Sequence, residues 1–246
     1  MFLYFDPAYI LFVLIPATLI SLAAQFYVRS AFNKWSQVRN TANLTGTQVA
    51  QQILRRTSLR PVEFQSAGRG YGRAAAGVSL ERTGGDFTDH YDPRTHTVRM
   101  SESTANTPSV AAMAIVAHEL GHAQQHEENS LLIQMRSFLV PAVQISPMFA
   151  FGLIFIGLLL NMTGLLWLGI GFFALMVLFT ILTLPVEFDA SRRGLSLLQE
   201  AGLFQTEDDQ TGSRTVLTAA AMTYVAAAVT AILQLLYYVS LASRRD

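Results

Sequence analysis

The sequence predicts a mainly α integral membrane protein. The expected form is a helical bundle of about four transmembrane helices, with an α+β region outside the bilayer that contains a short β-hairpin. Three observations predict it. Hydrophobic residues make up 51% of the 246 residues and charged residues only 14%, well below the roughly 25% charge of ordinary soluble domains. The charges leave long gaps: none between Asp6 and Arg29, 50 uncharged residues between Arg136 and Glu187, and 29 between Arg214 and Arg244. Charge and turn signals return together between residues 29 and 137.

A bilayer core of about 30 Å needs roughly 20 apolar helical residues. The gaps therefore hold spans at about 8–28, 138–160, 165–185 and 215–241, with Asn161-Met162-Thr163-Gly164 as the turn inside the longest gap. Buried core helices of a soluble protein are the plainer alternative, but so short a chain has little other protein to cover a 50-residue uncharged run. Tyr27, Trp35, Trp167, Tyr237 and Tyr238 fall near the expected span ends, where aromatic rings favour the interface. The expected division is a first span at 1–28, a cytoplasmic region at 29–137, a transmembrane hairpin at 138–185, a second cytoplasmic segment at 186–214, and a last span with the C-terminus at 215–246.

The orientation follows from the basic residues. The leader Met1–Asp6 has no basic stretch, so the first span reads as retained rather than as a cleaved signal. Residues 29–137 hold twelve Lys/Arg, and Arg192, Arg193 and Arg214 add to the same side. Arg244 and Arg245 alone oppose them, so the positive-inside rule places these segments in the cytoplasm. The bacterial plasma membrane is the expected location.

The composition also excludes several classes. Lys+Arg 17 balances Asp+Glu 17, so no nucleic-acid partner is expected. With no cysteine, disulfides, thiolate zinc sites, iron–sulfur clusters and cysteine nucleophiles are ruled out. A metal would have to be held by His, Asp, Glu or water.

Within 29–137, residues 30–60 read as helical, with Thr45 or Thr47 as N-cap of Gln48–Arg56. Gly68-Arg69-Gly70-Tyr71-Gly72 lacks the flanking strand and helix of a phosphate loop and reads as an ordinary loop. Phe87–Tyr91 and His96–Met100 flank Asp92-Pro93-Arg94-Thr95, whose Asp and Pro suit a type I turn. This is the expected hairpin, with His96, Val98 and Met100 on one face. A helix over Val110–His126 follows, with Thr107 as cap and Pro108 in its first turn.

That helix carries His118-Glu119-Leu120-Gly121-His122. Histidines four apart stand on one helical face, and their imidazoles can converge on one zinc ion. Glu119 then lies beside the metal without ligating it, placed to take a proton from water. Gly121 permits close packing at this point, at some cost in helix propensity. Histidines that only cap charges on a helix face are the non-functional alternative. A catalytic zinc needs a third protein ligand. His126 shares the face but is two turns from His118, about 12 Å along the axis, and reads as a solvated helix-end residue. Asp89, His90 and Asp92 of the hairpin are available donors. Glu187 is the better candidate, as the first charge after the 50-residue gap, on a helix continuing from the third span.

The chain resembles the YugP-like membrane zinc metallopeptidases. The resemblance is carried by Asp89-His90-Tyr91-Asp92-Pro93, by Ser109–Gln125 around His118-Glu119-Leu120-Gly121-His122-Ala123-Gln124, and by Pro185-Val186-Glu187-Phe188-Asp189-Ala190-Ser191, with a weaker match at Leu44-Thr45-Gly46. The family looks related to gluzincin membrane proteases of the HtpX type, which also place two spans between the zinc helix and an E-x-x-A-D segment. The resemblance implies a cytoplasmic zincin-like metallopeptidase region in which His118, His122 and Glu187 bind Zn2+ and Glu119 is the catalytic base. In one respect the chain departs from the gluzincin pattern. The Asp that supports a zinc histidine, four residues after the ligand Glu, is Ser191 here. Asp189 is on the wrong side of a regular helix to replace it, so the supporting partners of the histidines are left open.

The expected activity is zinc-dependent endopeptidase cleavage of peptide or protein substrates, membrane proteins among them. His90, Tyr91, Arg192 and Tyr224 are candidate donors to the oxyanion, and the strand His96–Met100 is a candidate to bind substrate as an added strand. Two other classes compete. A transporter would need ionisable groups in its spans, and the second and third spans have none. A catalytically silent zinc scaffold would not need the intact Glu119.

Overall fold

The computed structural model describes residues 6–59, 77–85 and 88–245. The Gly68–Gly72 loop and Phe87 lie outside them. The chain is a mainly α membrane protein. Among the described residues four helices are long and apolar enough to cross a membrane: Pro7–Ser36, Leu131–Leu159, Thr163–Glu200 and Glu207–Ser243. Each helix covers most of one of the expected spans. All four run beyond the uncharged segments into charged sequence, because helix propensity does not stop where hydropathy does.

The chain divides into two compact units. Unit 1 comprises residues 1–27, 131–186 and 221–246. It holds α1 (Pro7–Tyr9), a π-helical turn (Ile10–Leu14), the first part of α2 (Ile15–Ser36), α6 (Leu131–Leu159) and the apolar parts of α7 (Thr163–Glu200) and α8 (Glu207–Ser243). A Cβ at Gly157 would lie 2.7 Å from the Leu166 nitrogen, and one at Gly169 would lie 2.8 Å from the Ile154 nitrogen. These two glycines let α6 and α7 pack backbone to backbone on either side of the turn at 160–162, where Asn161 takes a positive φ. Ala150, Ile154, Leu166, Ile170, Phe173 and Tyr238 form the core of this unit. Among its polar contacts, Tyr237 donates to Asp6 (2.9 Å) and Tyr9 to Gln234 (3.0 Å).

Unit 2 comprises residues 28–130 and 187–220. It contains α3 (Gly46–Arg56), β1 (Ser79–Thr83), β2 (His90–Asp92), β3 (Thr97–Ser101), α4 (Glu102–Asn106) and α5 (Val110–Glu127), with the ends of α2, α7 and α8. Thr45 caps α3 in a reciprocal capping box with Gln48, which satisfies two otherwise unpaired amide groups. Asp209 is buried and accepts from Thr41 N (3.0 Å) and from the Gln205 and Thr206 amides (3.3 Å each). It thereby ties the start of α8 to the loop before α3.

Several expectations are corrected here. The helix carrying the histidines is capped by Ser109, whose hydroxyl accepts from Ala112 N at 3.1 Å. Thr107 instead ends the short α4. Trp35 is not an interfacial ring: it is 5% exposed, within the core of unit 2. The hairpin exists, with Asp92 paired to Thr97, but it belongs to a three-stranded sheet of order β1-β3-β2, in which β1 runs parallel to β3. His96 lies outside the strand with a φ of 51°. Because β3 is central, both its edges are already hydrogen bonded. It therefore has no edge to offer a substrate strand, and that expectation fails on topology.

Candidate metal centre

Helix α5 runs through the core of unit 2. Ala111, Ala112, Ala114, Ala117 and Ala123 are all buried along it, and a helix apolar nearly all round is a helix packed nearly all round. The polar side chains it carries, His118, Glu119, His122 and Gln125, are thus set on a rigid rod. Against it lies the last part of α7. A Cβ at Gly194 would sit 2.7 Å from the Ala117 carbonyl oxygen, and one at Gly121 would collide with that of Ala190. Each helix therefore offers a glycine to the other's backbone, and this approach brings the side chains of the two helices together.

Gly121→Ala is expected to destabilise the fold by about 1–3 kcal/mol, the usual range for overpacking. It should also weaken metal binding, because the obstacle is backbone that must move as a whole. Gly152→Ala, where an added Cβ meets nothing within 4 Å, is the matched control. Thermal melts and metal titration of both variants check this.

The approach of the two helices makes a cluster. Glu187 Oε2 is 3.4 Å from His118 Nε2 and 3.4 Å from His122 Nε2. The two imidazole centroids are 4.7 Å apart with their planes at 80°. One ligand atom from each of the three residues lies within 4.8 Å of the others. Glu187 and His122 are buried and His118 is half-buried. The donor set fits zinc. Ligand atoms bonded at 2.0–2.1 Å around a tetrahedral ion are separated by about 3.3 Å, close to the two 3.4 Å separations here, and two imidazoles with one carboxylate match zinc's preference for nitrogen and oxygen donors.

The electrostatics agree. Burial pushes the Glu187 carboxyl up, but the two imidazoles beside it outweigh this and hold it well below the usual carboxylate range. Burial pushes the His122 imidazole down, and the Glu187 and Glu119 carboxylates more than offset this. The site favours positive charge between its side chains, as a cation site must.

Around this core lies a supporting set of side chains. Ser191 Oγ is 3.2 Å from His118 Nδ1. His122 Nδ1 is 3.0 Å from Gln125 Oε1, and Gln125 Nε2 donates to Asp189 Oδ2 at 2.8 Å. Asp189 also accepts from Arg192 and from Arg193 Nε (2.7 Å), and Arg193 reaches on to Glu128 (2.6 Å). Burial pushes the Asp189 carboxyl up, but Gln125 and the two guanidinium groups outweigh it and keep the group ionised. Gln125 was missed from the sequence, although its position three residues after His122 puts it on the same helical face.

The other sequence candidates are engaged elsewhere. Asp89 accepts from the Ser101 amide and from the Ser101 and Thr104 hydroxyls, joining the start of β2 to α4. Asp92 is ion-paired with Arg99 at 2.7 Å, and His90 Nδ1 bonds to Thr88 O. None of the three belongs to the donor cluster. His126 is exposed and packs with the rings of Tyr91 and His96, at centroid distances of 5.9 and 5.5 Å. Of the oxyanion candidates, Tyr91 bonds through its hydroxyl to His96 (2.6 Å), Arg192 pairs with Asp189, and Tyr224 belongs to unit 1.

Two imidazoles and a carboxylate gathered by two packed helices define a helical membrane protein with a candidate metal site. Residues 10–243 match the family described as "Putative neutral zinc metallopeptidase". The chain is 36% identical over 229 residues to the "Putative membrane protease YugP" of Bacillus subtilis (strain 168), covering 93% of this chain and 94% of that protein. The chain belongs to this YugP-like zinc metallopeptidase family. No solved structure gives a significant match.

Proposed function

We propose that the protein is a membrane-embedded zinc-dependent endopeptidase in which His118, His122 and Glu187 hold the metal and Glu119 is the general base. The observation that carries this is the placement of Glu187 Oε2 at 3.4 Å from both imidazole nitrogens, with Glu119 on the same buried helix, next to the first ligand. Family membership supports the metal and the reaction class, and the relative's name supports a membrane setting. When bound, zinc supplies Lewis acidity, which brings the pKa of a water toward about 7 and polarises a peptide carbonyl.

The chain does the rest. Glu119 takes a proton from the attacking water as its oxygen bonds to the carbonyl carbon. It then returns that proton to the amine as the carbon–nitrogen bond breaks. The substrates are peptides or proteins, including membrane proteins, and the bilayer is the other partner. The Lys/Arg asymmetry favours 29–137 and 186–214 on the cytoplasmic side, and the bacterial relative's membrane setting supports the bacterial plasma membrane.

The full-length protein, purified in detergent, should cleave an unfolded protein substrate. It should lose that activity on chelation and regain it on adding zinc. Cleavage that persists after the metal is gone would end the metallopeptidase reading. A silent scaffold would bind zinc yet leave the proteome of cells carrying wild type and Glu119→Gln identical, whereas a peptidase leaves uncut substrates in the variant.

A further inference from the structure

We propose that Asp189 and Gln125 form a polarity relay that fixes His122 as its Nδ1–H tautomer and so presents the Nε2 lone pair to the metal. Asp189 acts as a positioning residue through Gln125. The inference rests on the assignment of His122 as a ligand.

The argument is one of donors and acceptors. An ionised carboxylate can only accept, a carbonyl oxygen can only accept, and an amide nitrogen can only donate. Asp189 accepts from the guanidinium groups of Arg192 and Arg193, and the group that faces its Oδ2 at 2.8 Å is the Gln125 amide nitrogen, a donor. The amide is planar, so its oxygen then points the other way, to His122 Nδ1 at 3.0 Å. For this contact to be a hydrogen bond the proton must sit on Nδ1, because the oxygen can only accept. A neutral imidazole has only one N–H, and placing it on Nδ1 leaves Nε2 as the lone-pair atom. Nε2 is the atom that faces Glu187. Without Asp189 the amide can rotate, its nitrogen can meet Nδ1, and the proton can move to Nε2, where it blocks the metal.

His118 is supported differently. Its Nδ1 meets the Ser191 hydroxyl at 3.2 Å, and a hydroxyl can donate or accept. Ser191 therefore orients the ring without choosing its tautomer. This asymmetry lets the chain keep a defined ligand set although only a hydroxyl stands beside His118. The carboxylate stands two residues earlier, and an amide spans the distance to the other histidine. It also puts a neutral group next to each imidazole, with the nearest fixed negative charge of the relay one side chain further out.

The relay is tested by zinc affinity, measured by chelator competition on the full-length protein in detergent for wild type, Asp189→Ala, Gln125→Ala, the double variant and Asp189→Asn. The absorption spectrum of the cobalt-loaded forms reports ligand geometry independently of activity. Asp189→Ala and Gln125→Ala should each weaken zinc by roughly 10–100-fold, the usual loss for an outer partner of a metal ligand. The double variant should be no weaker than Gln125→Ala alone. Asp189→Asn, whose amide oxygen can still accept from Gln125, should recover most of the affinity and the wild-type cobalt spectrum. Fully additive losses in the double variant, or Asp189→Asn as weak as Asp189→Ala, would overturn the relay and leave Asp189 with a role of its own. Wild type that binds no zinc would instead overturn the ligand assignment beneath it. Melting of the metal-free forms identifies any variant that fails to fold, and the Asp189→Asn comparison then decides.

Discussion

Glu119→Gln is expected to leave one zinc per chain and to lower cleavage by on the order of 10²–10⁴-fold, the range that a positioned general base contributes. Glutamine keeps the shape of the side chain and its fit in α5, where Glu119 is 9% exposed. It removes the ability to accept a proton near neutral pH. Glu119 is outside the donor cluster formed by His118, His122 and Glu187, so the metal should stay. Its carboxylate also helps raise the His122 imidazole, so the variant imidazole should lose its proton at a lower pH, which favours metal binding. Metal content by elemental analysis together with a cleavage assay checks both halves. Unchanged cleavage removes Glu119 as the base, and loss of zinc makes it part of the ligand set.

The sequence showed the parts of this protein whose signals are local. The three charge gaps placed the four long helices because a bilayer imposes one composition on every residue of a span. Histidines four apart imply a common face in any helix, and Glu187 stood out as the first charge after a long silence. What the sequence hid depends on distant partners. β1 reads Ser79-Leu80-Glu81-Arg82-Thr83, with a single strongly apolar residue, and becomes a strand only by parallel pairing with β3. Trp35 read as an interfacial ring because it follows a span. In fact α2 continues to Ser36, and the indole meets Gly212, where an added Cβ would lie 2.5 Å from its ring. Gln125 had no role assigned from the sequence, since glutamine is mostly exposed. Its role needs Asp189, 64 residues away, to be visible.

Replacing Glu187 with alanine is expected to do more damage than any change to the surrounding support. Two imidazoles alone do not hold a catalytic zinc, which takes three protein ligands, and the carboxylate is the one anionic donor in the cluster. Its removal should weaken zinc by more than the roughly 10–100-fold that loss of an outer partner costs. Zinc content would then fall well below one per chain after dialysis, and cleavage would fall with it. The alternatives for a third ligand are held in other places. Asp89 is bound by Ser101 and Thr104, Asp92 by Arg99, and His90 by the Thr88 carbonyl. For one of them to rescue the site, a strand would have to leave the sheet. Full zinc retention in Glu187→Ala would mean that such a rearrangement happens, and that the 3.4 Å contacts to both imidazoles are an ion-pair cluster rather than a ligand set. Glu187→Gln separates the two effects. It preserves the volume and one oxygen donor, so zinc binding close to wild type assigns the alanine loss to the missing oxygen donor, and binding as weak as in alanine assigns it to the missing charge.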